Sequence, residues 1–202
     1  MLVYSSRLVG TNVLSIQAGG PVGQVKSLVI DPDNLQIIAF KLEGPDVDFR
    51  QNILDVHSIR EYSKYGIVID STDELVAEDE VIKIADVLKL SFDLIGLKVE
   101  TKKGSNLGKV IDYALTPEDF VTQQLIVKRP AIKSLIDPEL TIPRQEIVEV
   151  TDYKIIVKNE EKTIKKKATD EEFIPNFVNP FRNHEQDFVP IDNQTPVGKD
   201  KK

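Results

Sequence analysis

Cysteine is absent from this chain, and so is tryptophan; there is one methionine, and the two histidines are His57 and His184. Without a thiol there can be no disulfide, no thiolate metal site and no cysteine nucleophile. A chain free of cysteine fits a cytoplasmic address. Two histidines so far apart show none of the spacing of a tetrahedral metal site, and each reads as a surface residue. No long apolar run occurs, and Met1-Leu2-Val3-Tyr4 opens without the basic and apolar regions of a secretion signal. Neither a membrane span nor export is expected.

Motifs that carry chemistry are missing as well. Asp31-Pro32-Asp33-Asn34 begins like a calcium loop, but Gln36 stands where that loop needs glycine and Leu42 where it needs glutamate. A type I turn is the better reading. The run Gly104-Ser105-Asn106-Leu107-Gly108-Lys109 is one residue short of a phosphate loop, and no Ser or Thr follows its lysine. There is no Gly-x-Ser-x-Gly elbow. Asp46-Val47-Asp48 and Glu78-Asp79-Glu80 read as solvated loop carboxylates. The expectation is a protein with no catalytic residue, no cofactor and no metal, and therefore not an enzyme.

What is present is an internal repeat. Leu8-Val9-Gly10-Thr11-Asn12-Val13, a glycine turn and then Gly23-Gln24-Val25 through Ile30-Asp31-Pro32 returns as Leu94-Ile95-Gly96-Leu97-Lys98-Val99, a turn and Gly108-Lys109-Val110 through Thr116-Pro117. Gly10 matches Gly96 at an offset of 86, whereas Gly23 with Gly108 and Pro32 with Pro117 match at 85; Ile59, Glu61, Tyr65 and Ile67 match Ile147, Glu149, Tyr153 and Ile155 at 88. These small shifts belong to turns. Each copy reads as short strands separated by polar turns, too few for two packed sheets, so a small closed or nearly closed barrel is the economical fold. The expected organisation is a first domain over 1–78, an apolar connector over 79–91, a second domain over 92–159 and a flexible tail over 160–202. The connector suits either a helix, with Val81, Ala85 and Leu88 on one face, or an edge strand followed by one helical turn. Packing of the two copies through this connector is expected, because it would otherwise expose apolar surface.

The doubled pattern Leu-Val-Gly-x-x-Val, glycine turn, Gly-x-Val and a hydrophobic strand ending near Asp-Pro resembles the PRC-barrel domain, over about residues 7–75 and 92–158. That domain is named for the cytoplasmic part of the photosynthetic reaction-centre H subunit. It also forms the C-terminal domain of a bacterial ribosome-maturation factor that binds a small-subunit ribosomal protein. The resemblance implies an all-β fold of two tandem small antiparallel barrels of six strands each, acting as protein-binding or assembly modules without catalysis.

Charge bears on the partner. The net charge is −7, with −5 over 1–78 and 0 over 92–159. Neither copy is the basic body that holds phosphate backbones, so direct nucleic-acid binding is expected to be weak. The second copy carries one mixed basic and apolar loop, Lys128-Arg129-Pro130-Ala131-Ile132-Lys133, where the first has the acidic Glu43-Gly44-Pro45-Asp46-Val47-Asp48. Lys128, Arg129, Ile132 and Lys133 are candidates for partner binding. Phe177 and Phe181 are two more, because four of the chain's eight phenylalanines fall in its polar, Pro-punctuated last thirty residues. The leading expectation is an adaptor or assembly module for a protein partner. The alternative is an RNA-processing or ribosome-maturation factor that meets ribonucleoprotein through the second barrel.

Overall fold

The computed structural model describes residues 2–130 and 138–158. A short strand β1 (Val3–Tyr4) and one helical turn α1 (Ser5–Leu8) precede the first repeat. That repeat holds β2 (Asn12–Ser15), β3 (Gly20–Asp31), β4 (Gln36–Glu43), β5 (Ile53–Asp55), β6 (Glu61–Ser63), β7 (Gly66–Ile69) and β8 (Leu75–Val76). Helix α2 (Ile82–Leu90) leads into β9 (Lys98–Thr101), β10 (Asn106–Leu115), β11 (Thr122–Lys128), β12 (Glu139–Pro143), β13 (Ile147–Val150) and β14 (Lys154–Val157). The β-branched runs become strands as their composition predicts, and the turns between them are closed by side chains. Asp31 accepts the Asp33 N–H at 3.0 Å, and Asp119 in the matching turn accepts the Val121 N–H at 3.1 Å.

The all-β expectation holds, and both copies share one strand order. The first sheet runs β6-β7-β2-β3-β4-β5-β8 and the second β13-β14-β9-β10-β11-β12. Two features differ from the expected small antiparallel barrels. Each sheet contains one parallel pair, β2 with β7 and β9 with β14. The cause is the path of the chain: after β5 or β12 it turns through a short 3-10 segment and doubles back through a hairpin, so the returning strand runs alongside the first in the same sense. Among the described residues the end strands of each path are also not paired with one another, so within them neither sheet closes on itself. Closure is unnecessary because a single apolar cluster contains residues of both repeats, among them Phe40, Leu54 and Ile67 of the first and Phe120, Leu125 and Ile155 of the second.

The joint between repeats is reciprocal. The Ile37 N–H donates to the Phe120 carbonyl at 3.0 Å, and the Thr122 N–H donates to the Leu35 carbonyl at 3.0 Å. Leu35 and Phe120 are equivalent residues, and both adopt left-handed backbone with φ of 54°. For such side chains this conformation costs on the order of 1–2 kcal/mol. Each repeat accepts that strain and thereby presents a carbonyl to the other. Phe120 then meets the Phe40 and Tyr62 rings edge to face, with centroids 5.3 and 6.2 Å apart. The arrangement follows the logic of an isologous dimer contained in one chain.

The segments before each repeat cross over. Strand β1 adds to β10 of the second sheet, pairing Val3 with Leu115 and Tyr4 with Ala114, and the Ser5 and Ser6 hydroxyls donate to the Asp112 carboxylate at 2.5 and 2.6 Å. Helix α2 conversely lies on the outer face of the first sheet, with Ile84 buried among Val29, Ile38, Ala39 and Ile53. The connector is thus a helix whose inward stripe centres on Ile84 with Val81, Val87 and Leu88. It covers one repeat instead of joining the two, which corrects the expected packing. The first repeat offers it Val29, Ile38, Ala39 and Ile53, where the equivalent places of the second hold Ala114, Gln123, Gln124 and Thr141.

Candidate functional site

In register across the second sheet stand four lysines. Lys109 on β10 is paired with Lys98 on β9 and with Lys128 on β11, and Lys98 is paired with Lys154 on β14. Registered neighbours share a face, about 4.8 Å apart from strand to strand. The next residues along these strands, Val99, Val110, Val127 and Ile155, are buried, so the lysine row lies on the side turned away from the core. Lys154 is half-buried and joins Glu100 at 3.3 Å. Among the described residues no carboxylate lies within 4.0 Å of the Lys98, Lys109 or Lys128 ammonium. Glu139, paired in register with Lys128, ends the row.

Beside the row runs an apolar groove of about 560 Å³, lined by Ile95, Val110, Ile111 and Pro130 together with the three outer lysines and Arg129. Ile95 and Ile111 are 42% and 39% exposed, although aliphatic side chains are more often buried. Gly108 makes the groove possible. Its φ is +135°, and a Cβ there would lie 2.0 Å from the Lys128 carbonyl oxygen, so β10 and β11 approach as only glycine allows.

The first repeat holds different chemistry at the same places. Its row reads Asn12, Gln24 and Glu43, and Glu43 is neutralised by Lys26 at 3.4 Å. The place over its glycine is taken: a Cβ on Gly23 would meet Val47 Cγ2 at 2.7 Å.

Of the residues expected to bind a partner, Lys128 is exposed and sits in the row. Arg129 is buried, at 8% exposure, and lines the groove, with its backbone N–H donating to the Pro138 carbonyl at 2.9 Å. Ile132, Lys133, Phe177 and Phe181 lie outside the described residues. Sequence reasoning missed Lys98, Lys109, Lys154, Ile95 and Ile111. The signal was there in the copy-to-copy differences Asn12 to Lys98, Gln24 to Lys109 and Glu43 to Lys128.

Burial pushes the Tyr113 phenol up, with the neighbouring Asp93 charge adding to the effect and a hydrogen bond with Ser5 opposing it. A hydrogen bond from Thr116 holds the Asp119 carboxyl below its usual range. His57 is 86% exposed with Nδ1 2.7 Å from Asp55 Oδ1. The described residues contain no group of three or more His, Asp or Glu able to hold a metal ion. They contain no helix long and apolar enough to cross a membrane. No family model matches this chain, and no curated protein matches it.

Proposed function

We propose that this chain is a cytoplasmic, non-enzymatic binding module made of two PRC-barrel-like repeats, whose second repeat holds an acidic segment of a protein partner. The observation that supports this reading is the row Lys98, Lys109 and Lys128. Like charges placed directly opposite each other destabilise a sheet, and these three have no carboxylate within 4.0 Å among the described residues. Only Lys128 has an opposite charge in register on a neighbouring strand, Glu139, whereas a partner carboxylate laid along the row gains charge-assisted bonds. The adjoining groove adds selectivity, because Ile95 and Ile111 favour a segment that carries apolar side chains beside its acids.

The same row of cations supports a second reading, a ribosome-maturation or RNA-processing factor that contacts ribonucleoprotein through this repeat. Phosphates would meet the lysines equally well but would leave the apolar groove unused, and the −5 charge of the first repeat would repel them. One experiment separates the two. A photo-crosslinking amino acid at Ile111 of the full chain, activated in the cells that make it, should yield adducts destroyed by protease and unaffected by RNase. They should disappear in the K98E/K109E/K128E variant. Adducts destroyed by RNase would establish the second reading, and adducts unaffected by the charge reversal would overturn the lysine row as the contact.

A further inference from the structure

A second trough, between strand β6 of the first repeat and the Pro117–Phe120 turn of the second, has a different construction. Strand β6 ends its sheet: among the described residues it pairs with β7 on one side and with nothing on the other. A terminal strand of this kind leaves alternate backbone N–H and C=O groups unpaired, ready to bond an added strand. Two contiguous hollows follow it, of about 500 and 700 Å³, and Tyr62 and Pro117 line both. The counterpart beside β13 is only about 300 Å³, with Val150 in the place of Tyr62 and Leu35 in the place of Phe120.

The larger hollow is aromatic and cationic. Tyr4, Tyr62, Tyr65 and Pro117 supply flat apolar surface, and Tyr4 and Tyr65 are 45% and 73% exposed. Arg7 and Lys64 line the same hollow, no carboxylate does, and Lys64 Nζ stands 4.9 Å from the centre of the Tyr65 ring. Burial raises the Tyr62 phenol and the Arg7 charge opposes that rise, which places the guanidinium within electrostatic reach of the ring's hydroxyl. The smaller hollow has the opposite balance: Glu61, Glu118 and Asp119 line it, and of the two basic residues there Arg60 is paired with Asp70 at 2.6 Å and His57 with Asp55 at 2.7 Å.

We propose that this trough docks an extended peptide of a partner protein as an added strand on β6, with an acidic residue of the peptide between Arg7 and Lys64. The edge supplies main-chain bonds, and the tyrosines and Pro117 take alternate side chains of the peptide. The charge gradient fixes polarity, so the remainder of the peptide, toward Glu118 and Asp119, is neutral or basic. The trough lies where β6 meets β1, α1 and the Pro117–Phe120 turn of the second repeat, and none of Lys98, Lys109 and Lys128 lines it, so the two surfaces are separate.

The test begins with a displayed library of random dodecapeptides panned on the full chain. The expected product is a family of sequences with an acidic end and alternating apolar residues, whose synthetic representative shifts the amide resonances of Tyr62, Ser63 and Lys64. R7E and K64E change exposed side chains and should each weaken that peptide by about tenfold or more. N-methylation of alternate peptide amides should abolish binding, whereas K98Q/K109Q/K128Q should leave it unchanged. A library that yields no binder would overturn the proposal. So would shifts confined to the second repeat, or a peptide indifferent to N-methylation.

Discussion

The two repeats share a strand order, a reciprocal joint and a pair of left-handed turn residues, yet they have diverged wherever the outside meets solvent. In the first repeat the outer face is apolar at Val29, Ile38, Ala39 and Ile53 and is sealed by α2. The corresponding positions of the second are Ala114, Gln123, Gln124 and Thr141, which need no such cover. The row that reads Asn12, Gln24 and Glu43 in one reads Lys98, Lys109 and Lys128 in the other. Divergence on a common frame separates what folding demands from what it merely tolerates. The backbone geometry of the joint is kept, with φ of 54° at Leu35 and Phe120 and the reciprocal bonds, and residues that face outward have been free to take on separate tasks.

The largest way to break the comparison is to strike the joint. Phe120 is 5% exposed and meets both Phe40 and Tyr62, so Phe120→Ala should cost about 3–5 kcal/mol. Because the core is continuous, chemical denaturation followed by probes in each repeat should give coincident transitions at a lower midpoint. Separate transitions would show two independent cores.

The glycines sharpen the contrast next. Gly108→Ala forces a Cβ against the Lys128 carbonyl from a positive φ and should cost about 2–3 kcal/mol. Gly23→Ala meets Val47, a side chain that can turn aside, but also the Glu43 carbonyl at 2.8 Å, and its backbone is not left-handed. It should cost less than its counterpart. Equilibrium denaturation of both variants checks the order.

The larger alkaline pH effect should belong to the second repeat, since Tyr113 is more deeply buried than Tyr62, whose phenol burial also raises. Tyr113 is buried at 2% exposure and its pKa is raised, so the unfolded chain ionises this phenol at a lower pH than the native one. Its contribution is therefore constant below the ordinary phenol pKa of about 10, and stability declines as pH rises through that value toward the native pKa. Tyr113→Phe should flatten the alkaline side of the curve of midpoint against pH. An unchanged alkaline decline would assign it to other groups.

How much of this could be read in the amino-acid order follows from the range of each interaction. The repeat, the strands and the Asp31 and Asp119 turns are local patterns, and they were legible. The parallel pairs were not, because Gly66–Ile69 reads the same whichever way it enters the sheet. The joint was hidden too: nothing near Leu35 or Phe120 announces a bond to the other copy. Lys98, Lys109, Lys128 and Lys154 are scattered over more than fifty residues and become neighbours only through register. The helix was ambiguous because a short apolar run carries both periodicities, and the face available on the first sheet settled the matter.

The smallest expected effect tests the central claim most directly, namely that the second repeat keeps its lysine row against the interest of its own folding. Urea denaturation of the full chain at low ionic strength should find K98Q/K109Q/K128Q more stable than the parent by about 0.5–1 kcal/mol, with an unchanged slope. The gain should shrink as added salt screens the parent's repulsion. A variant less stable than the parent by about 1 kcal/mol or more would contradict the account, because the row would then be part of the fold and no evidence of a binding surface.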